Sequence, residues 1–225
     1  MDREALAQRY AAVKAGIPDG VLLVAVSKLR SAEEVQALYD LGHRDFGENY
    51  PQELREKQAV LPEDIRWHFI GHLQRNKVKY LAPFVHLIHG VDSEKALDEI
   101  DKRAAQNDRT IDALLQVHIA REETKHGLSD RELNDLMAAW TETRWPNVRV
   151  RGLMGMASLT KDGSVIRNEF DGLAGRFSDL QERMAFGGEV FDILSMGMSG
   201  DMDLAIAAGS NLVRIGTAIF GERPG

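Results

Sequence analysis

The chain has 225 residues, a length that suits one barrel of parallel strands, and 44% of them are hydrophobic, enough to bury a substantial core. With 28 Lys and Arg against 35 Asp and Glu the net charge is −7, so a nucleic-acid partner is not expected, because such a surface repels a phosphate backbone. The absence of cysteine excludes disulfides, thiolate metal sites and cysteine nucleophiles, and no apolar run approaches the ~20 residues of a membrane span, so the expectation is a soluble cytoplasmic protein with no membrane partner.

In chain order, Leu6, Tyr10 and Val13 recur at helical spacing and predict an N-terminal helix. A β-branched run at 21–26 predicts the first strand. Ser31-Ala32-Glu33-Glu34 is a capping box, followed by Val35 and Leu38 and stopped at Gly42. Residues 44–46 form a weak strand candidate, and 66–70 and 84–88 form stronger ones. Arg75-Asn76-Lys77-Val78-Lys79 reads as the solvated face of a helix. A strand at 114–119 is followed by a second capping box, Ser129-Asp130-Arg131-Glu132, with Leu133, Leu136, Met137 and Trp140 behind it. A strand at 148–153 leads to a long helix marked by Phe170, Leu173, Phe177, Leu180 and Met184. Strands at 190–194 and Leu212–Ile215 complete the set, with Ser199 as a cap for a short helix between them. About eight strand–helix alternations, with no linker or repeat to divide the chain, predict an α/β protein: one (β/α)8 TIM barrel domain over residues 1–225, preceded by a helix. A doubly wound open sheet is the alternative.

In such barrels the active face lies at the C-terminal ends of the strands, so the residues just after each strand matter most. The first strand ends in Ala25-Val26-Ser27-Lys28. A lysine held partly among packed side chains is biased toward the neutral amine, which condenses with carbonyls. The bland alternative is a lysine that snorkels to the surface. Ser195-Met196-Gly197-Met198-Ser199-Gly200-Asp201 follows strand seven, and Arg214-Ile215-Gly216-Thr217 ends strand eight. Two small glycine-containing turns after strands seven and eight are where these barrels bind phosphate. Arg214 is a permanent cation beside strand one, readable either as a ligand group or as a salt bridge under the rim. Asn49, in Phe46-Gly47-Glu48-Asn49, lies after strand two. His68 and His72 span a strand end and a turn, so their spacing does not place them on one helical face, and no metal site is expected. Lys125 reads as solvated, and Leu153-Met154-Gly155-Met156 as barrel core.

These segments, together with His68-Phe69-Ile70-Gly71-His72-Leu73-Gln74-Arg75-Asn76-Lys77 and Val213-Arg214-Ile215-Gly216-Thr217-Ala218-Ile219-Phe220-Gly221, resemble the pyridoxal phosphate homeostasis protein family over nearly the whole chain. The resemblance implies a barrel similar to the N-terminal domain of alanine racemase. It implies pyridoxal 5′-phosphate (PLP) held as an aldimine on Lys28, with the phosphate near Ser195, Gly197, Met198, Ser199, Gly216 and Thr217. It also implies Arg214 at the pyridine nitrogen and Asn49 and His68 near the ring. His118, where the family usually has asparagine, and the Met154-Gly155-Met156-Ala157-Ser158 segment depart from the pattern, away from the lysine and the phosphate turns.

Two classes of function share these residues. One is a carrier that holds PLP, keeps it at low free concentration and passes it to PLP-dependent apo-enzymes. The other is an amino-acid racemase, which needs an acid–base group on each face of its substrate. In alanine racemase the second group is a tyrosine from a C-terminal β-domain. Few residues follow strand eight, so the expectation is a non-catalytic, monomeric carrier. A third reading, a barrel enzyme whose Lys28 condenses with a phosphorylated substrate, stays open on the residues alone.

Overall fold

A computed structural model of the chain describes residues 2–122, 124–140, 143–184 and 190–222. Its elements run α1 (Arg3–Ala15), β1 (Leu22–Val26), α2 (Ala32–Asp40), β2 (Asp45–Glu48), α3 (Pro51–Gln58), β3 (Arg66–Phe69), a 3-10 turn (Arg75–Lys77) into α4 (Val78–Leu81), β4 (Leu87–Val91), α5 (Glu94–Ala105) and β5 (Ile111–Gln116). They continue with α6 (Asp130–Ala138), β6 (Val148–Met154), α7 (Gly163–Met184), β7 (Ile193–Ser195), α8 (Met202–Ala207), β8 (Leu212–Ile215) and α9 (Thr217–Phe220). The eight strands are all parallel and close on themselves in sequence order, β8 pairing back onto β1 from Leu22↔Leu212 to Ala25↔Ile215. The expected barrel is therefore present, and the open sheet is not.

Local chemistry accounts for the alternation. Ser31 and Ser129 each accept a hydrogen bond from the third helical N–H, and Glu34 and Glu132 each accept one from the cap residue's own N–H, so both capping boxes form. Ser93 caps α5 through the Ala96 N–H. The strands sort their side chains by a period of two. Leu23, Ala25, Val213 and Ile215 join the large core between sheet and helices. Val24, Leu87, Leu114, Met154 and Leu212 form a separate small cluster, the side chains that fill the barrel. Helix α1 lies against the last turn of the chain, where Arg9 Nε donates to the Ile219 carbonyl at 2.8 Å. No helix among the described residues is long and apolar enough to cross a membrane.

Several expected boundaries move. The fourth strand starts at Leu87, because Phe84 and Val85 pack in the turn after α4. The fifth starts at Ile111, and the apolar residues after Gln116 leave the sheet in a single bridge, Val117↔Leu128. Ser199 does not cap α8, whose N-cap is Asp201; its Oγ instead accepts the Ala218 N–H at 3.4 Å, joining the turn after β7 to the turn after β8. Lys125 is half-buried, not simply solvated: its Nζ donates to the Ala157 carbonyl at 2.6 Å.

Candidate functional site

A cavity of about 260 Å³ opens at the C-terminal ends of the strands. It is walled by the segments after β1, β2, β3, β6, β7 and β8, and Lys28, Asn49, Met198, Ser199, Arg214, Gly216 and Thr217 all line it. Lys28 is two residues beyond Val26, so it keeps the inward phase of β1 past the strand's end, and it is half-buried. Arg214 has the same phase on β8 and is buried. Gly197, in the turn behind Met198 and Ser199, has φ +90, and a Cβ there would lie 2.6 Å from Ala205 Cβ. Only glycine lets that turn fold back against α8. A Cβ on Gly216 would meet the Val26 carbonyl oxygen at 3.2 Å, so the turn after β8 also lies tight against β1.

Three expected residues are not in the cavity wall. Gly197 lies behind it. Ser195 and His68 are fully buried inside the barrel, where they are links in a continuous hydrogen-bonded chain beneath the cavity floor. Arg214 donates to Ser195 Oγ, and its other terminal nitrogen donates to the Gly155 carbonyl at 3.0 Å. Ser195 Oγ is 3.3 Å from His89 Nδ1, His89 Nε2 is 3.0 Å from His68 Nδ1, and His68 Nε2 is 3.1 Å from Asp45 Oδ1. Arg66 closes the far end, with Nε donating to Asp45 Oδ1 at 2.7 Å. An order in which each group donates toward Asp45 satisfies every one of these contacts.

Electrostatics agree with that order at His89, Asp45 and Arg214. Burial, reinforced by His68 and Arg214, drives the His89 pKa well down, so the ring is neutral. Burial opposes ionisation of Asp45, but hydrogen bonds from Arg66 and His68 outweigh it and hold the carboxyl well below its ordinary range. Burial lowers Arg214 to about 10, with Asp201 pulling the other way, so it stays a cation at neutral pH. Among the described residues no carboxylate lies within ion-pair distance of it. A buried guanidinium without an anion is costly, which marks the cavity as a place for one.

A second network fixes the backbone on which Lys28 sits. Lys57 Nζ donates to the Ser27 carbonyl, to Glu48 Oε1 and to Glu53 Oε1, each at 2.7 Å. Glu53 Oε1 also accepts the Leu29 N–H at 2.7 Å, and Ser27 Oγ donates to Glu48 at 2.6 Å. Both neighbours of Lys28 are thus held by side chains from α3. Leu29 itself has φ +61, an uncommon conformation for a non-glycine residue. Burial pushes the Glu48 carboxyl up to about 7, against the attraction of Lys57.

Sequence reading missed His89, Glu48, Glu53 and Lys57. His89 had a signal: a histidine at the inward phase of the apolar Leu87-Ile88-His89 run. Glu48 and Lys57 had none, since their meaning comes from tertiary proximity.

The family model described as alanine racemase, N-terminal domain, matches residues 1–224. A pyridoxal phosphate homeostasis protein of Aquifex aeolicus is 40% identical over 202 residues, which is 89% of this chain and 86% of that protein. The solved structure of PipY from Synechococcus elongatus with PLP bound is similar with a TM-score of 0.86 at 33% identity, over 96% of this chain and 100% of that one. Alanine racemase from Bartonella henselae, with covalently bound pyridoxal phosphate, has a TM-score of 0.74 at 20% identity over 60% of its length, a likeness of fold. The chain belongs to the pyridoxal phosphate homeostasis proteins, within the family of the alanine racemase N-terminal domain.

Proposed function

We propose that this chain binds PLP in the rim cavity through Lys28 and holds it for delivery to PLP-dependent apo-enzymes, without catalysing turnover. The observation that carries the reading is the convergence, in one cavity, of a half-buried lysine, a buried guanidinium with no carboxylate at ion-pair distance among the described residues, and the two turns after β7 and β8. The cavity suits the cofactor on a further count: Asn49 Oδ1, buried in its wall, has no hydrogen-bond partner among the described residues, so it is an acceptor ready for a donor on a ligand. When bound, PLP supplies an electrophilic aldehyde, a pyridine nitrogen and an anionic phosphate.

Each of these groups has a counterpart in the chain. Lys28 supplies the amine for the aldehyde, and its clamped backbone fixes where that amine stands. Ser199, Gly216 and Thr217 offer hydroxyls and first-turn N–H groups to the phosphate; the Ser199–Ala218 contact keeps the two turns together. Arg214, a donor without acceptor capacity, would face the ring nitrogen and disfavour its protonation. That arrangement makes a poor electron sink, which suits storage better than chemistry at a substrate carbon.

The cavity wall also argues against racemisation. Lys28 and Arg214 are its only titratable groups among the described lining residues. Tyr50, next to the cavity-lining Asn49, is exposed and lines a neighbouring cavity. With a proton-transfer group on one face only, a racemase forfeits on the order of 10²–10⁴-fold in rate. The purified protein loaded with PLP is expected to show near-ultraviolet to visible absorbance that is lost in Lys28→Ala, and to racemise none of a panel of amino acids at enzymatic rates. Racemisation at ordinary turnover would replace the carrier with an enzyme. A protein that PLP does not load would favour a barrel acting on another phosphorylated carbonyl compound.

A further inference from the structure

We propose that His72, Asp92 and His126 form a second site on the rim, which binds a borderline divalent transition-metal ion of the Zn²⁺ class. The three side chains come from the segments after β3, β4 and β5, three consecutive strands that deliver them to the same end of the barrel. One ligand atom from each lies within 4.8 Å of the others. His72 Nδ1 is 3.6 Å from Asp92 Oδ2, and the two imidazoles stack with centroids 3.8 Å apart at 16°.

The backbone beneath these side chains is held, so their meeting does not depend on a loose loop. The buried Gln116 donates through Nε2 to the His126 carbonyl at 2.8 Å. Leu128 N–H donates to the Gln116 carbonyl at 2.7 Å, and His118 N–H to the Leu128 carbonyl at 2.9 Å. Asp92 directly follows the last residue of β4 and is half-buried. His72 and His126 are exposed. Rotation of their rings about χ2, a broad torsion, turns two in-plane nitrogens toward one point and closes the separations to those of a metal shell, where Zn–N is ~2.0–2.1 Å. Two imidazoles and one carboxylate suit borderline first-row ions and not Mg²⁺ or Ca²⁺, which prefer oxygen shells. Three protein ligands leave at least one coordination position open.

The sequence discouraged a metal reading because it paired His72 with His68. That pair never forms, since His68 turns into the barrel. The partner of His72 lies 54 positions along the chain, in a loop that only the barrel closure brings near. The site borders a separate cavity of about 250 Å³, lined by His72, Tyr50, Gln74 and Lys77, which shares Asn49 with the cofactor cavity.

The test is titration of tag-free, PLP-free protein with ZnCl₂ by calorimetry, and with CoCl₂ by visible absorbance. The expected result is one equivalent of Zn²⁺ bound in the micromolar range or tighter, weak ligand-field bands with Co²⁺, and no response to Mg²⁺. His72→Ala and His126→Ala are each expected to weaken Zn²⁺ at least ~10-fold, and Lys28→Ala to leave it unchanged, which separates this site from the cofactor cavity. Both histidines are exposed, and far-ultraviolet circular dichroism checks that the variants remain folded. Wild-type protein that binds no Zn²⁺ tighter than millimolar, or binding that survives the double variant, overturns the site.

Discussion

In the proposed reading Lys28 supplies the amine for the aldehyde, and its neighbours hold it in place. Lys57 reaches the Ser27 carbonyl and Glu53 reaches the Leu29 N–H, so α3 grips the turn on both sides of the lysine. Lys57→Met removes a buried cation from Glu48, whose second oxygen already has no hydrogen-bond partner among the described residues. Breaking such a pair from one side costs ~3–5 kcal/mol, and chemical denaturation is expected to show a loss of that order. Glu48→Gln keeps an oxygen for Lys57 and Ser27 and removes the titration. The folded Glu48 carboxyl is raised from 4.5 to about 7, so the native state holds more protons than the unfolded one between those values. Its contribution is therefore favourable below pH 4.5 and is lost as pH rises toward 7. Stability measured across that window is expected to fall less steeply with pH in Glu48→Gln than in the parent. His89→Leu tests the other network: Ser195 and His68 each lose a partner inside the barrel, at a cost of ~1–3 kcal/mol per stranded group. Because Arg214 donates to Ser195, PLP affinity is expected to fall with stability.

At the scale of elements, the site depends on turns that sit close to strands. Gly197→Ala combines a positive φ with a Cβ 2.6 Å from Ala205, and is expected to cost ~1–3 kcal/mol and to weaken PLP binding by displacing Met198 and Ser199. Ser129→Ala removes the capping box of α6, none of whose residues lines the cavity, with an expected loss of ~1 kcal/mol in thermal unfolding and no change in PLP loading. How much of each element was legible follows the same physics. Strands β1, β3, β6 and β8 stand out because their runs are β-branched or alternate cleanly. Strand β2 is Asp45-Phe46-Gly47-Glu48, with two buried carboxylates, and no hydrophobic pattern announces a strand whose acids pair with Arg66 and His68 on one side and with Lys57 on the other. Strand β5 was read late because Asp112 interrupts its apolar run; in the fold that acid pairs with Arg149 and Arg151 at the strand's start. The turns after β7 and β8 were legible as small glycine-containing segments, while the placement of Ser195 and His68 inside the barrel was not, since that depends on the phase of each strand at its last residue.

Across the whole molecule, the barrel is threaded by polar groups. The chain from Arg214 through Ser195, His89 and His68 to Asp45 runs from the rim cavity toward the opposite end, where a cavity of about 350 Å³ is lined by His43, Asp45 and Arg66. A barrel filled this way is sensitive to acid. Burial lowers His43 from 6.5 to about 4, against its contact with the Asp45 carbonyl, and drives His89 well down. The unfolded chain therefore binds more protons than the native one as pH falls below 6.5, and the stability these rings contribute is lost toward pH 4 at about 1.4 kcal/mol per pH unit per group. Asp45, held low by Arg66 and His68, adds a loss below its ordinary value of 3.8. Urea unfolding between pH 7 and 4 is expected to show a falling midpoint that His43→Phe makes shallower, even with Glu48 acting in the opposite direction.

The most direct measurement is reduction of the PLP-loaded protein with borohydride, followed by proteolysis and mass-spectrometric mapping of the modified peptide. The expected result is a single pyridoxyl group on Lys28, with phosphate retained. A label spread over surface lysines, or confined to one remote from the rim such as Lys14, which lines the cavity at the opposite end, would contradict a cavity organised around the end of β1.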